Sequence, residues 1–133
     1  MKNIEAVGKM TWLMGQSDEH ENYTVADIHR LILPPVAAQQ FRIWEVESHP
    51  VAFLTWAMLN EDAEQGYLDG TRKLHPDDWQ AGKNLWLIDF IAPYGGVREI
   101  VREGRTHLRA IFGKGVIGRA NRLHKGKLWC SVT

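Results

Sequence analysis

Cysteine is scarce in this sequence of 133 residues. Cys130 is its single cysteine, so no intrachain disulfide can form and the fold must be stable without one. A chain of this kind is typical of a reducing compartment, and we expect a cytoplasmic protein. Cys130 follows Trp129 in an apolar C-terminal stretch, which favours a packed side chain over a reactive thiol.

Net charge and long apolar runs are also missing. Sixteen basic residues balance sixteen acidic ones, so the total charge gives no reason to expect a nucleic-acid or membrane-surface partner. No stretch approaches the ~20 apolar residues of a membrane span. A signal peptide needs an unbroken apolar core. The first ten residues, MKNIEAVGKM, lack one because they contain charged residues and a glycine. We therefore expect neither a membrane span nor an export signal.

Metal-ligand spacing is a third absence. The chain has six histidines, but no pair of them has the spacing of a zinc site. His20 and Glu21 begin an HExxH pattern in which Thr24 occupies the place of the second histidine. This departure excludes a zinc hydrolase, and we expect no bound metal.

The composition fits one globular domain spanning residues 1–133, with 44% hydrophobic and 24% charged residues. Apolar periodicity predicts helices at 3–14, 25–34, 60–70 and 97–112. The second of these begins after Thr24, which is a predicted N-cap. β-branched and aromatic runs predict strands at 41–47, 51–59, 85–92, 116–123 and 127–132. The connection lengths favour an α+β fold with a central, mostly antiparallel sheet flanked by helices.

Three connections carry local signals. Pro34 and Pro35 are expected to end or kink the second helix. His49-Pro50 predicts the turn of a hairpin between the first two strands, and residues 71–83 are expected to form a loop. A further turn is predicted at 124–126, between the last two strands.

Asp89 is the most informative single residue. It lies in the middle of the apolar strand 85–92, where a carboxylate is costly to bury unless another group pairs with it. Backbone amides or an arginine such as Arg109 would satisfy it in a purely structural role, and a catalytic partner would satisfy it equally well. Pro93 and the Gly95-Gly96 pair follow, which favours a position near a cleft.

His20 lies in a polar loop beside Asp18, Glu19 and Glu21, whose carboxylates favour a protonated imidazole. A loop histidine is more often solvated than catalytic. Taken alone, the local sequence leaves both roles open.

The combined motifs carry a family resemblance. They are Ser17-Asp-Glu-His20 followed by Asn22 and an aromatic residue, Ile32-Leu-Pro34, Thr55-Trp56-Ala57, and Trp86-Leu-Ile-Asp89-Phe-Ile-Ala92-Pro93-Tyr-Gly95. With these segments in this order, the chain resembles the toxin-activating lysine acyltransferases of the RTX toxin systems. The chain is shorter at its C-terminus than typical members, so the identity of the acylated protein stays open.

The resemblance implies a fold similar to the N-acetyltransferase superfold and a defined reaction. Members of the family transfer a fatty acyl group from acyl carrier protein to internal lysines of RTX protoxins, without a bound cofactor. By position, the catalytic residues would be His20 and Asp89. Ser17, Asn22, Trp56 and Arg109 would support them or bind substrate. A homodimer is also implied.

The reaction requires a base, because a lysine amine with a pKa of ~10.4 is protonated at neutral pH. A histidine oriented by a carboxylate suits this role, and an acyl-histidine route is equally open. The stretch 114–120 lacks the pattern of a coenzyme A pyrophosphate loop, which favours a protein-borne donor. Two alternatives remain: a coenzyme-A-dependent small-molecule N-acyltransferase, and a non-catalytic binding module of the same fold.

Overall fold

A computed structural model of the chain describes residues 2–122 and 127–130. In chain order, the helices and strands of this part are α1 (Asn3–Gly15), α2 (Val25–Leu31), α3 (Leu33–Ala37), β1 (Phe41–Val46), β2 (His49–Leu59), α4 (Glu61–Asp69), β3 (Asn84–Ile91), α5 (Val97–Phe112), β4 (Arg119–Arg122) and β5 (Lys127–Cys130). A short 3₁₀ helix, Pro76–Trp79, lies in the segment that was expected to be a loop.

The strands of the described residues form one sheet in the order β1-β2-β3-β4-β5. Neighbouring strands are antiparallel except for β3 and β4, which are parallel and are connected by α5 as a crossover helix. The prediction of an α+β fold with a mostly antiparallel sheet is therefore confirmed. The open sheet with flanking helices is consistent with an acetyltransferase-like fold.

Helices cover both faces of the sheet, because successive strand residues point to opposite sides. On one face, Leu13 of α1 packs against Phe53 of β2 and Ile91 of β3. On the other face, Leu108 of α5 packs against Leu54, the neighbour of Phe53. We call these the α1 face and the α5 face.

The hairpin turn lies two residues earlier than the sequence predicted. Glu47 and Ser48 form it, with φ angles of 51° and 67°. Two successive left-handed residues are the pattern of a type I′ turn, whose twist matches that of the flanking strands. Pro50 lies at the start of β2, opposite Glu45, where a missing N–H is tolerated. The prediction of a turn at His49-Pro50 was therefore wrong.

The helix breaks just before the two prolines, as predicted, and a short new helix then contains them. The second helix stops at Leu31, and after Ile32 the chain continues as α3, with Pro34 and Pro35 in its first turn. Proline is well tolerated there because the first backbone N–H groups of a helix have no intrahelical acceptor. At the other end of the chain β4 is shorter than predicted, and the predicted turn at 124–126 lies outside the described residues.

Gly82 and Gly8 provide a matched test of the packing around β2. A Cβ at Gly82 would lie 2.3 Å from the Leu59 carbonyl oxygen, whereas a Cβ at exposed Gly8 in α1 meets nothing within 4 Å. We expect Gly82→Ala to lower the free energy of unfolding by about 1–3 kcal/mol through overpacking. Gly8→Ala should raise it by about 0.5–1 kcal/mol, since alanine is the better helix former.

Urea denaturation followed by circular dichroism measures both effects. Equal stability of Gly82→Ala and the unmodified protein would contradict the close approach of the Gly82 segment to the end of β2.

Candidate active site

His20 and Asp89 lie in contact although they are 69 positions apart in the chain. The Nε2 atom of His20 is 3.3 Å from Oδ1 of Asp89. The histidine is held in a turn between α1 and α2, in which its backbone N–H donates to the Ser17 carbonyl and its own carbonyl accepts from Tyr23. The predicted spatial contact between the two residues is confirmed.

Asp89 owes its orientation to the alternation of side chains along β3. It lies opposite Thr55, two residues before Ile91, whose side chain packs on the α1 face. The backbone N–H of Asp89 donates to the Thr55 hydroxyl at 3.1 Å, and the carboxylate lies on the α1 face, where His20 is.

The Asp89 carboxylate is only half satisfied within the described residues. Its side chain is 8% exposed, Oδ1 contacts His20, and Oδ2 is buried without a hydrogen-bond partner. A buried polar atom left unpaired costs about 1–3 kcal/mol of folding free energy. Stability alone therefore does not explain the arrangement. Buried polar groups that lack a hydrogen-bond partner are expected at functional sites.

Ser17 completes a three-residue chain of hydrogen bonds. Its Oγ lies 2.8 Å from Nδ1 of His20, so both ring nitrogens have a partner. When Nε2–H donates to the Asp89 carboxylate, Nδ1 carries the lone pair and accepts the Ser17 hydroxyl proton. This tautomer gives the imidazole a basic nitrogen on the side of Ser17.

Two tyrosines lie near the pair. The ring of Tyr23 lies 5.1 Å from that of His20. Burial, and secondly the charge of Asp89, raise the pKa of Tyr23 to about 12. The same two causes raise the pKa of Tyr67 on α4. Both phenols stay protonated at neutral pH. Tyr23 is the aromatic residue of the His20 motif, but Tyr67 carries no sequence signal because its proximity arises from tertiary packing.

An open cleft of about 330 Å³ adjoins His20. Its walls are the turn after α1 and the end of β3 with the residues that follow, namely Gln16, Ser17, Asp18, Glu19, His20, Phe90, Ile91, Ala92 and Pro93. Tyr94 follows the last of these residues. Its exposed ring lies 6.1 Å from the exposed ring of Trp12 on α1. A substrate in this cleft can reach Ser17 and His20, while Asp89 lies behind them.

The remaining candidates lie away from the pair. Asn22 is exposed, two residues beyond His20. Trp56 is buried on the α5 face, with its ring 6.0 Å from that of His107, and Arg109 lies on the exposed side of α5. The structure does not bring Trp56 or Arg109 to the pair. The alternative in which Arg109 pairs with Asp89 was wrong, because α5 lies across the sheet from that carboxylate.

No group of three or more histidine, cysteine, aspartate or glutamate residues in the described part of the chain could hold a metal ion. None of its helices is long and apolar enough to cross a membrane.

Comparisons with known proteins find similarity along nearly the whole chain. The model of a family described as the RTX toxin acyltransferase family matches residues 1–127. The chain is 32% identical over 128 residues to the RTX-II toxin-activating lysine-acyltransferase of Actinobacillus pleuropneumoniae, covering 96% of this chain and 77% of the relative. A protein-lysine myristoyltransferase of Kingella kingae is 30% identical (95% and 72% covered), and one of Escherichia coli is 31% identical (96% and 79% covered).

Removing either member of the pair should affect stability in opposite ways. His20→Ala removes the partner of a buried carboxylate, and we expect the free energy of unfolding to fall by about 1–3 kcal/mol. Asp89→Asn replaces a buried charge by a neutral amide, which costs less to bury. We expect this variant to be at least as stable as the unmodified protein. Urea denaturation of the unmodified protein and the two variants measures their free energies of unfolding. A lower value for Asp89→Asn than for His20→Ala would contradict the expectation.

Proposed function

This chain belongs to the RTX toxin acyltransferase family, and we propose that it moves a fatty acyl group from acyl carrier protein to lysine side chains of an RTX protoxin. The enzyme class follows from the family: it is a protein-lysine acyltransferase. The contact of His20 with Asp89 beside an open cleft is the observation that carries the proposed mechanism. The proposed functional unit is the whole chain, residues 1–133.

In this mechanism His20 is the general base and Asp89 orients it. Asp89 accepts the Nε2–H of the imidazole, and Nδ1 takes a proton from the lysine nitrogen. That nitrogen attacks the thioester carbonyl carbon, a C–N bond forms, and the C–S bond breaks. The departing thiolate takes up a proton, and one proton is released to solvent overall. The buried carboxylate stabilises the imidazolium while it exists.

Ser17 determines how substrate reaches the basic nitrogen. Its hydroxyl occupies Nδ1 in the free protein, so the lysine amine must displace it or transfer a proton through it. An acyl-histidine route would use the same nitrogen after the hydroxyl has moved. In both routes Ser17 acts as a positioning residue that holds the His20 ring through Nδ1, while the Asp89 carboxylate, which can only accept, fixes the tautomer.

We take the acyl donor to be a carrier protein and not free coenzyme A. The segment 114–120 supports this choice, because it does not match a coenzyme A pyrophosphate loop. With the carrier protein as donor and a protoxin as acceptor, both proposed substrates are proteins. A cytoplasmic location and a homodimer are proposed on the family resemblance, and sedimentation velocity measures the second of these.

Acylation in a defined mixture tests the proposed function. The protein is incubated with acyl carrier protein bearing a defined acyl chain and a candidate RTX protoxin, and mass spectrometry detects acyl-lysine. We expect His20→Ala and Asp89→Asn each to lower the rate by at least about 100-fold, the lower range for lost acid–base catalysis. His29→Ala and Asp62→Asn, which change exposed residues of the same types on α2 and α4, should keep the full rate.

Other results would reject parts of the proposal. Full activity of either variant of the pair would show that the roles of His20 and Asp89 are wrong. Product formed from acyl-coenzyme A and a small amine, but not from the carrier protein, would favour the small-molecule acyltransferase. No product with any donor would favour a non-catalytic module.

Ser17→Ala should give a graded loss. The variant leaves the His20–Asp89 contact in place but frees Nδ1 and the orientation of the ring, so we expect kcat to fall by about 10- to 100-fold. Steady-state kinetics with acyl carrier protein measures the effect, with Ser48→Ala in the exposed hairpin turn as control. Complete loss in Ser17→Ala, with an acyl-serine adduct detected in the unmodified protein, would instead make Ser17 the nucleophile.

A further inference from the structure

A row of arginines follows one side of α5. Arg98, Arg102, Arg105 and Arg109 are spaced four, three and four residues apart, which places them along a single stripe of the helix. We call them the arginine row. Three of them are exposed and Arg105 is partly buried. The row covers about 17 Å at 1.5 Å per helical residue.

Three arginines of this row have no carboxylate partner within the described residues. They are Arg98, Arg102 and Arg109. Like charges at these spacings repel by about 0.2–0.5 kcal/mol per pair. The row is therefore a local concentration of positive charge in a protein whose formal net charge is zero.

The other contacts of α5 hold the row towards solvent. Glu103 accepts hydrogen bonds from the Arg42 guanidinium and from the Trp44 indole N–H of β1. Gly104 lies against the same indole, since a Cβ there would be 3.5 Å from it, and Leu108 is buried in the sheet. These contacts fix the rotation of the helix about its axis. The side of the helix that carries Glu103 and Leu108 is thereby occupied, and the three unpaired arginines of the row are left for an external partner.

The row also begins beside the cleft. Pro93 forms part of the cleft wall, the next three residues are a connection, and α5 starts at Val97, so Arg98 is in its first turn. From there the row continues along the exposed side of α5 to Arg109. A partner bound along the row would lie on residues that are separate from those of the cleft wall.

We propose that the arginine row is the docking surface for the acyl carrier protein. The partner chemistry that fits is an acidic protein surface, with several carboxylates spread over the length of the helix, because guanidinium groups pair with carboxylates in a directional way. A carrier bound there delivers its thioester arm into the adjacent cleft. The inference rests on the proposed function for the identity of the donor.

Two other anionic partners fit less well. Proteins that bind nucleic acid combine a net basic domain with stacking aromatics, whereas this chain is neutral and the row holds arginines alone. A helix that lies on a membrane exposes its apolar side to the lipid. On α5 the side chain of Leu108 instead packs against the sheet, and the exposed large apolar residues, Val97 and Ile111, lie near the two ends of the helix.

Charge reversal tests the docking surface independently of turnover. The dissociation constant of fluorescently labelled acyl carrier protein is measured by anisotropy for Arg98→Glu/Arg102→Glu. The control Lys2→Glu/Lys73→Glu changes the net charge equally at exposed sites outside α5. We expect about tenfold weaker binding in the arginine variant, equal to 1.4 kcal/mol, little change in the control, and binding by the unmodified protein that weakens with salt.

Several outcomes would overturn the docking surface. Unchanged affinity in the arginine variant, or equal weakening in the control, would do so. So would a variant that loses binding to phosphatidylglycerol vesicles or a DNA duplex while it keeps the carrier. If circular dichroism shows that the glutamate variant is unfolded, Arg98→Gln/Arg102→Gln replaces it under the same criteria.

Kinetics separate this inference from the proposed function. With acyl carrier protein as donor, the arginine variant should show about tenfold higher KM and a kcat within about twofold of the unmodified protein. Loss of kcat alone would contradict docking. Carrier that binds through the row without yielding acyl-lysine would reject the proposed function but not the surface.

Discussion

The burial of the Asp89 carboxylate is the constraint on which the site depends. A charged group inside an apolar strand needs a partner, and the structure supplies His20 from a loop near the other end of the chain. The contact holds the turn after α1 against the end of β3, and the cleft lies between those two segments. One electrostatic requirement thus links the fold of the N-terminal segment to the position of the proposed base.

The sheet separates two tasks. The pair lies on the α1 face, while the proposed docking surface lies on α5 across the sheet. The two are connected in the chain, which leaves the sheet after β3 to form α5. A crossover between parallel strands makes this connection, because the helix must follow the end of the first strand. In the proposed arrangement a large donor binds on α5 and its arm enters the cleft.

Stability and function make opposing demands on Asp89. Its Oδ2 atom lacks a hydrogen-bond partner in the described residues, and the nearby phenols of Tyr23 and Tyr67 are held in their neutral form. A neutral residue would be easier to bury there. In the proposed mechanism the carboxylate selects the tautomer of His20 and stabilises the imidazolium that forms during proton transfer. Comparable partly satisfied groups in an enzyme are best explained by its chemistry.

Local patterns in the sequence determined most of the elements and the need for a partner at Asp89. Alternating and helical periodicities depend on near neighbours, so the helices and the hairpin strands could be read directly. The turn at Glu47 and Ser48 and the helix that contains Pro34 could not, because strand twist and helix packing decided them. The family resemblance pointed to His20, whereas the residues taken alone left Arg109 open as a partner. Tertiary structure decided for His20 and brought Tyr67 to the site, since Asp89 lies on the α1 face and α5 lies on the other.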